Sequence, residues 1–327
     1  MSRHITNSRI LVTGGAGFIG SNLVKALLEQ DNEVICLDNF ITGKHENLAS
    51  IKDHKHFTLI EGDIRNFEDC TNAVDGVQYV LHQAALGSVP RSIIDPITTN
   101  SHNITGFLNM ITAARDAKVI RFVYAASSSV YGDHPGLPKY EDHIGKPLSP
   151  YAITKYVNEL YAKVFSDVYG LETIGLRYFN VFGPNQDPDG AYAAVIPKFI
   201  TQFINYEAPL IHGAGDTSRD FTYIDNVIQI NQLAALTTNE EALNTVFNVA
   251  CSERTTLNEL AETLQRELAL FDKKIADIEP IHGIDRKGDI KHSHASIEKA
   301  KELLEYSPKI LVNEGLGKTV KWFWENK

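Results

Sequence analysis

Tyr151 and Lys155 stand four residues apart in Ser149-Pro150-Tyr151-Ala152-Ile153-Thr154-Lys155. On a helix that spacing puts a phenol and an ammonium on one face. A cation beside a phenol favours its ionised form and lowers its pKa toward neutrality, and a nicotinamide cation would push the same way. Such a tyrosine can serve as a general base. Of the 13 tyrosines, Tyr151 alone has a lysine four positions on. One such pair could arise by chance; its place at the start of the helix after a fifth strand is what favours chemistry. Ser127, in Ser127-Ser128-Ser129-Val130-Tyr131-Gly132, follows that strand at its C-terminal end, where ligands bind in open α/β sheets. A hydroxyl there can exchange hydrogen bonds with a substrate hydroxyl; without the Tyr and Lys the run reads as a serine-rich turn.

A second group of residues is suited to phosphate. Thr13-Gly14-Gly15-Ala16-Gly17-Phe18-Ile19-Gly20 places glycines at 14, 17 and 20. Residues without Cβ let backbone N–H groups approach a pyrophosphate, and a helix opening there adds its positive end. Asp38 follows Gly20 by eighteen residues, where a carboxylate can hold a ribose 2′-hydroxyl. No Arg or Lys stands beside it until Lys44, which favours NAD over NADP. Asp63, in Gly62-Asp63-Ile64, is suited either to the adenine or to a helix N-cap.

These groups need a scaffold. Arg9–Val12, Glu33–Leu37, Phe57–Ile60, Tyr79–Leu81, Arg121–Ala125 and Glu172–Leu176 read as strands. Ser21–Gln30, Thr98–Ala117 and Tyr151–Val168 read as helices between them. This alternation indicates βαβ units and a parallel sheet, and the near-continuous apolarity of the strands implies helices on both faces. After Arg177 the rhythm breaks. Phe182–Gly190 and Glu207–Thr217 read as loops, with a late strand at Thr245–Val249. The expected fold is α/β, a doubly wound Rossmann-like parallel sheet with a smaller mixed α/β C-terminal domain. Residues 1–177 plus 223–250 form the dinucleotide domain in this reading, and 178–222 plus 251–327 the substrate domain.

The chain has 327 residues, 43% hydrophobic and 22% charged, enough to bury a large core in about two domains. Its 31 basic and 41 acidic residues give a net charge of −10, without the basic face of a nucleic-acid binder. No apolar run of spanning length or signal-peptide core is present. Cys36, Cys70 and Cys251 suit neither a metal pair nor a disulfide framework and read as reduced thiols in the cytoplasm. No metal is expected.

The glycine turn, the serine run, Tyr151 with Lys155, and Arg177-Tyr178-Phe179-Asn180, in this order, resemble an extended short-chain dehydrogenase/reductase over nearly the whole chain. The subgroup resembled is the nucleotide-sugar 4-epimerases. His82-Gln83-Ala84-Ala85-Leu86-Gly87-Ser88-Val89-Pro90-Arg91-Ser92 is similar to bacterial UDP-N-acetylglucosamine 4-epimerases, including those that accept the uronic acids. The resemblance implies Ser127, Tyr151 and Lys155 as catalytic residues. It implies cofactor contacts at Phe18, Ile19, Asn39, Phe40, Thr42, Gly43, Ile64, Gln83, Ala84, Ala85, Asn103, Tyr178 and Phe179. On the substrate side it implies Asn180, Arg219, Arg286 and Asp289 for UDP. Ser88, Arg91, Ser128, Ser129, Val195, Lys198, His212 and Ser293 are its further substrate positions. Two isolated guanidinium groups, Arg219 and Arg286, suit a diphosphate, although as bare residues they read equally as surface arginines.

One departure is informative. Sugar-nucleotide dehydratases carry an Asp-Glu pair directly after the catalytic hydroxyl residue, where Ser128 and Ser129 stand here. Neither is a strong acid, so loss of water is disfavoured. The expectation is a 4-epimerase acting by transient C4 oxidation with bound NAD. A dehydratase-type enzyme and a non-catalytic NAD sensor on the same fold are the alternatives. Ser293 matches a position that is often a bulky tyrosine in relatives restricted to glucose and galactose; a serine leaves room for a 2-acetamido group, unless it is merely a loop residue. A homodimer through the Thr98–Ala117 and Tyr151–Val168 helices is what the family implies.

Overall fold

A computed structural model of the chain describes residues 3–189, 193–284 and 291–327. Arg9–Thr13 (β1) turns through the glycines into Phe18–Leu28 (α1), and Glu33–Asp38 (β2) follows. Next come Phe57–Glu61 (β3), Phe67–Ala73 (α2) and Tyr79–His82 (β4). Val89–Ile94 (α3), Pro96–Asn100 (α4) and Phe107–Asp116 (α5) lead to Arg121–Ser127 (β5), then to Pro150–Tyr169 (α6) and Thr173–Tyr178 (β6). The remainder runs Val181–Phe182 (β7), Val195–Ile204 (α7), Leu210–His212 (β8), Ser218–Arg219 (β9), Thr222–Tyr223 (β10), Ile224–Leu236 (α8) and Thr245–Val249 (β11). It closes with Thr255–Thr256 (β12), Leu257–Ala269 (α9), Ile281–Gly283 (β13), Glu298–Leu304 (α10) and Val312–Glu325 (α11).

Seven strands form one parallel sheet in the order β11-β6-β5-β4-β1-β2-β3. From β1 the chain adds β2 and β3 on one side; from β4 it builds outward on the other. The loops after β1 and β4 therefore diverge and leave a crevice at their C-terminal ends. Each sheet face has its own apolar core. The one that includes Val12, Leu23 and Phe247 continues without a break into Leu260, Leu316 and Phe323 of the C-terminal helices, while Leu11, Phe107 and Phe122 belong to the other. Among the described residues no helix is long and apolar enough to cross a membrane.

Three local departures from the sequence reading matter. Thr98–Ala117 is not one uniform helix: α4 begins at Pro96 under an Asp95 cap, and a π-helical turn, Ser101–Gly106, joins it to α5. That turn seats Gly106 where a Cβ would lie 2.5 Å from Ile64 Cδ1, and it buries His102 and Asn103. The expected loop over Glu207–Thr217 contains β8, which pairs in parallel with β13, and Phe182 belongs to β7, paired with β10. Those partners are remote in sequence and leave no local periodicity.

Candidate active site

The glycine turn is shaped by what presses on it. Gly14 has φ +67°, and a Cβ there would lie 2.8 Å from the Ala84 backbone. Thr13 Oγ1 accepts the Ala84 N–H at 3.2 Å, which holds the loop after β4 against it. A Cβ at Gly20 would sit 2.1 Å from the Gly14 carbonyl oxygen, so the helix can pack on the turn only without one. No side chain caps α1, and its first turn carries no acid, which leaves its positive end to an anion. At the end of β2, Asp38 accepts the Ala16 N–H at 2.9 Å and the Phe40 N–H at 2.8 Å. Burial raises its carboxyl pKa against these hydrogen bonds. Lys44 is paired with Asp187 at 2.9 Å.

A cavity of about 270 Å³ runs from the turn to the ends of β2 and β3. Gly14, Gly17, Phe18, Ile19, Gly20, Asp38, Asn39, Thr42, Ile64, Gln83, Ala84 and Ala85 line it, all of them expected from the sequence. The rest of its wall is Leu37, Ile41, Gly62, Leu86, Gly87 and His102. His102 carried no sequence signal beyond its neighbour Asn103. Its Nδ1 meets the Thr98 carbonyl at 2.9 Å, while its Nε2 is buried with no partner. Uncapped amides, close glycine approaches, a carboxylate at the strand end and an orphan acceptor together fit a dinucleotide.

Several expected contacts act indirectly. Asn103 donates to the Leu86 carbonyl and Thr154 Oγ1 and accepts from Leu86 N–H; both its amide protons are spent, so it positions the cavity wall. Phe179 is 1% exposed with its ring beside Tyr131, a core residue. Asp63 is held by Arg65 at 2.6 Å and by Asn39 Nδ2 at 2.9 Å, and its pKa is driven far down; the α2 cap is Asn66 instead. Phe40 stacks on His45 at 3.8 Å, and Gly43 abuts the Asp38 carboxylate. Tyr178 OH donates to Gln83 Oε1 at 3.1 Å and accepts from Asn231 Nδ2 at 2.9 Å. Asn231 is a further contributor that sequence reading did not find.

Ser149 caps α6 and Pro150 opens it, which sets Tyr151 in the first turn and Lys155 one turn on. Ser127 ends β5, its hydroxyl accepts the Ser129 N–H at 3.2 Å, and it lies close enough to the Tyr151 phenol to act on its pKa. Lys155 Nζ donates to the Ala125 carbonyl at 2.8 Å. The three residues are thus brought together beside the cavity's Gln83 wall, which Tyr178 joins. The expected lowering of the Tyr151 pKa is not what the chain's own groups produce. Burial raises it, and the Ser127 hydroxyl only opposes that rise, because removing a phenolate from water costs more than one hydroxyl returns. Lys155 is itself lowered to about 8 by burial. Ser129 Oγ is buried without a partner. Ser88 caps α3 from a strained φ of +131°, a conformation that recurs at functional sites, and Arg91 follows in that helix.

Of the residues expected on the substrate side, Asn180, Arg219 and Ser293 meet at β9. Ser293 N–H donates to the Ser218 carbonyl at 2.9 Å, beside Arg219. Ser218 Oγ accepts Arg254 Nε at 3.1 Å and Nη2 at 3.0 Å and meets His292 Nδ1 at 2.9 Å. Asp220, fully buried, accepts the amides of Cys251 at 3.0 Å and Ala295 at 3.2 Å. Burial pushes its carboxyl up to about 7. Asn180 Nδ2 donates to the Asp220 carbonyl at 2.9 Å. Val195 and Lys198 sit in the first turn of α7, and His212 ends β8 with Nδ1 3.3 Å from the Ile284 carbonyl; among the described residues they share no hydrogen bond with this clasp. Arg286 and Asp289 lie outside the described residues.

The chain matches the NAD dependent epimerase/dehydratase family over residues 10–250. It is 36% identical over 327 residues to a UDP-glucuronate 4-epimerase of Thermodesulfobacterium geofontis, covering 97% of this chain and 96% of that one. Among solved structures it is similar to a UDP-N-acetylglucosamine 4-epimerase from Methanobrevibacter ruminantium in complex with UDP-N-acetylmuramic acid. That likeness has a TM-score of 0.92 at 40% identity and covers 99% of this chain and 100% of the other. It is also similar to a UDP-glucuronic acid 4-epimerase from Bacillus cereus in complex with UDP-glucuronic acid and NAD, with a TM-score of 0.87 at 31% identity, covering 98% and 100%.

Proposed function

The chain belongs to the NAD dependent epimerase/dehydratase family, and from that premise we propose that it is an NAD-dependent 4-epimerase of UDP-hexoses. The preferred pair is UDP-GlcNAc and UDP-GalNAc or the corresponding uronic acids. The observation that carries the reading is that Ser127, at the end of β5, and Tyr151 and Lys155, on α6, stand next to the Gln83 and Leu86 wall of the cavity, tied to it through Tyr178 and Asn103. NAD, held by the glycine turn and Asp38, would supply the hydride acceptor for sugar C4 and the donor for its re-reduction. As the phenolate, which Lys155 and the positive charge of a bound NAD would favour, Tyr151 takes the proton of the C4 hydroxyl and later returns it, while Ser127 hydrogen-bonds the same oxygen. Lys155 holds a positive charge one helical turn from the phenol. The residues converging on β9, with 178–222 and 251–327 as the substrate domain, hold the UDP. The hexose between is left free to turn over and present its other face.

A dehydratase needs an acid next to the catalytic hydroxyl. Asp133, the nearest carboxylate after the serine run, is instead engaged by the Lys146 N–H at 2.7 Å. Two further readings accompany the chemistry. Ile153, Leu160, Val164 and Val168 expose one apolar face of α6 beside exposed Ile94 and Ile97, which supports a homodimer through that face. Three free buried cysteines support a cytoplasmic setting.

The test is a panel of UDP-Glc, UDP-GlcNAc, UDP-GlcNAcA and their galacto epimers, followed by NMR of the anomeric proton, with mass spectrometry of the bound cofactor. Interconversion at C4 with NAD(H) extracted is expected. A 4-keto-6-deoxy product returns the dehydratase reading, and cofactor binding without turnover returns the sensor.

A further inference from the structure

We infer that the buried Glu159–Arg177 ion pair is a positioning element of the reaction centre, keeping Lys155 charged and seating the loop that carries Ser127; this rests on the 4-epimerase reading. Glu159 stands one turn beyond Lys155 on α6. Arg177, on β6, donates Nε to Glu159 Oε1 at 2.9 Å and Nη2 to Oε2 at 2.8 Å. Its Nη1 donates to Tyr131 OH at 3.0 Å and to the Glu141 carbonyl at 2.8 Å. Tyr131, in the turn that begins at Ser127, donates in turn to Asn248 Oδ1 at 2.6 Å. One guanidinium thus ties the helix of Tyr151 and Lys155 to the loop of Ser127 and to β11. The side chains of Arg177 and Glu159 are 4% and 7% exposed.

Stability does not account for such a pair. Two desolvated charges rarely outperform apolar residues of the same shape. Its position relative to Lys155 does. His82 on β4, which faces the lysine, is pushed to about 3 by burial; Tyr124 on β5, beside the ion pair, is held well above its ordinary value, and the charge of Arg177 on β6 is taken up by Glu159. Tyr151, on the same helix, is raised too. Burial lowers Lys155, and Glu159 is the carboxylate that opposes it. Without that charge the ammonium would release its proton closer to neutrality and Tyr151 would lose its cation.

Glu159→Gln keeps the shape, removes the charge and leaves Arg177 unbalanced. In protein carrying nitrogen-labelled lysine, the Lys155 Nζ signal is assigned by its loss in Lys155→Met. Its midpoint should fall by about one pH unit in Glu159→Gln and stay near wild type in Glu159→Asp. The alkaline limb of kcat should shift with it, a roughly tenfold loss on that side, with KM little changed. If Glu159→Gln does not fold, Glu159→Gln with Arg177→Gln pairs two amides and strands no charge, and its midpoint should still lie below wild type. A wild-type midpoint in any folded variant lacking the carboxylate overturns the inference, however much rate is lost. Wild-type protein that binds NAD yet turns over no UDP-sugar overturns the enzymatic reading instead, and the lysine titration still decides this one.

Discussion

The side proposed for the dinucleotide and the side proposed for the substrate are built by different means. On the dinucleotide side the parts are consecutive or lie on neighbouring strands. The turn after β1, the carboxylate at the end of β2 and the loop after β4 are aligned by a register that runs through all three strands. On the substrate side, residues 180, 218–220, 251–254 and 292–295 come from separate segments. Side chains gather them: Asp220 takes two backbone amides, and the Ser218 hydroxyl takes an arginine and meets a histidine. A sheet imposes geometry through its backbone and tolerates side-chain change. A clasp of buried polar groups depends on each partner, because an orphaned one costs about 1–3 kcal/mol.

Cutting the seam between the two sides should have the largest effect. Tyr151→Phe keeps the ring and removes the oxygen, so kcat should fall roughly 10²–10⁴-fold, while extracted NAD(H) per protomer stays at the wild-type level. Near-normal turnover would remove Tyr151 from its role. Next comes the substrate side. Ser293→Tyr should depress kcat/KM for UDP-GlcNAc relative to UDP-Glc by roughly 10–200-fold; an unchanged ratio means Ser293 does not border the sugar. On the dinucleotide side, His102→Ala removes the orphan acceptor from the cavity wall. NAD affinity, read by displacement of NADH fluorescence, should weaken roughly fivefold to tenfold, with KM for the sugar nucleotide unmoved. Equal affinity in the two proteins would leave the buried nitrogen without a ligand role.

The smallest expected effect lies in the pH dependence of the clasp. The Asp220 pKa is raised in the fold, to about 7, from an unfolded value of about 3.9. The native state therefore binds the extra proton between those values, and stability falls as pH rises through that window. The contribution is fully present below about pH 4 and lost above about pH 7. Asp220→Asn should flatten the slope of Tm against pH across that interval while retaining bound NAD. A slope identical to wild type would mean that the Asp220 carboxyl does not titrate as its burial requires.

The same contrast governs what could be read from the residues alone. Tyr151, Lys155, Ser127 and the glycines were legible because each belongs to a short motif whose spacing implies its geometry. Asn231, His102, Asp220 and Arg254 were not, since each acquires its partner only when segments far apart in the chain meet. The resemblance implies Asn103 and Phe179 beside the cofactor; in the structure the Asn103 side chain braces Leu86 and the Phe179 ring packs in the core. Local order, the parallel strand pattern and the phosphate turn follow from periodicity and from glycine sterics, which act over a few residues. The direction of the Tyr151 pKa, the saturation of Asp63 and the assembly of the substrate clasp depend on burial and on long-range hydrogen bonds. Those are properties of the packed interior, and no run of neighbouring residues encodes them.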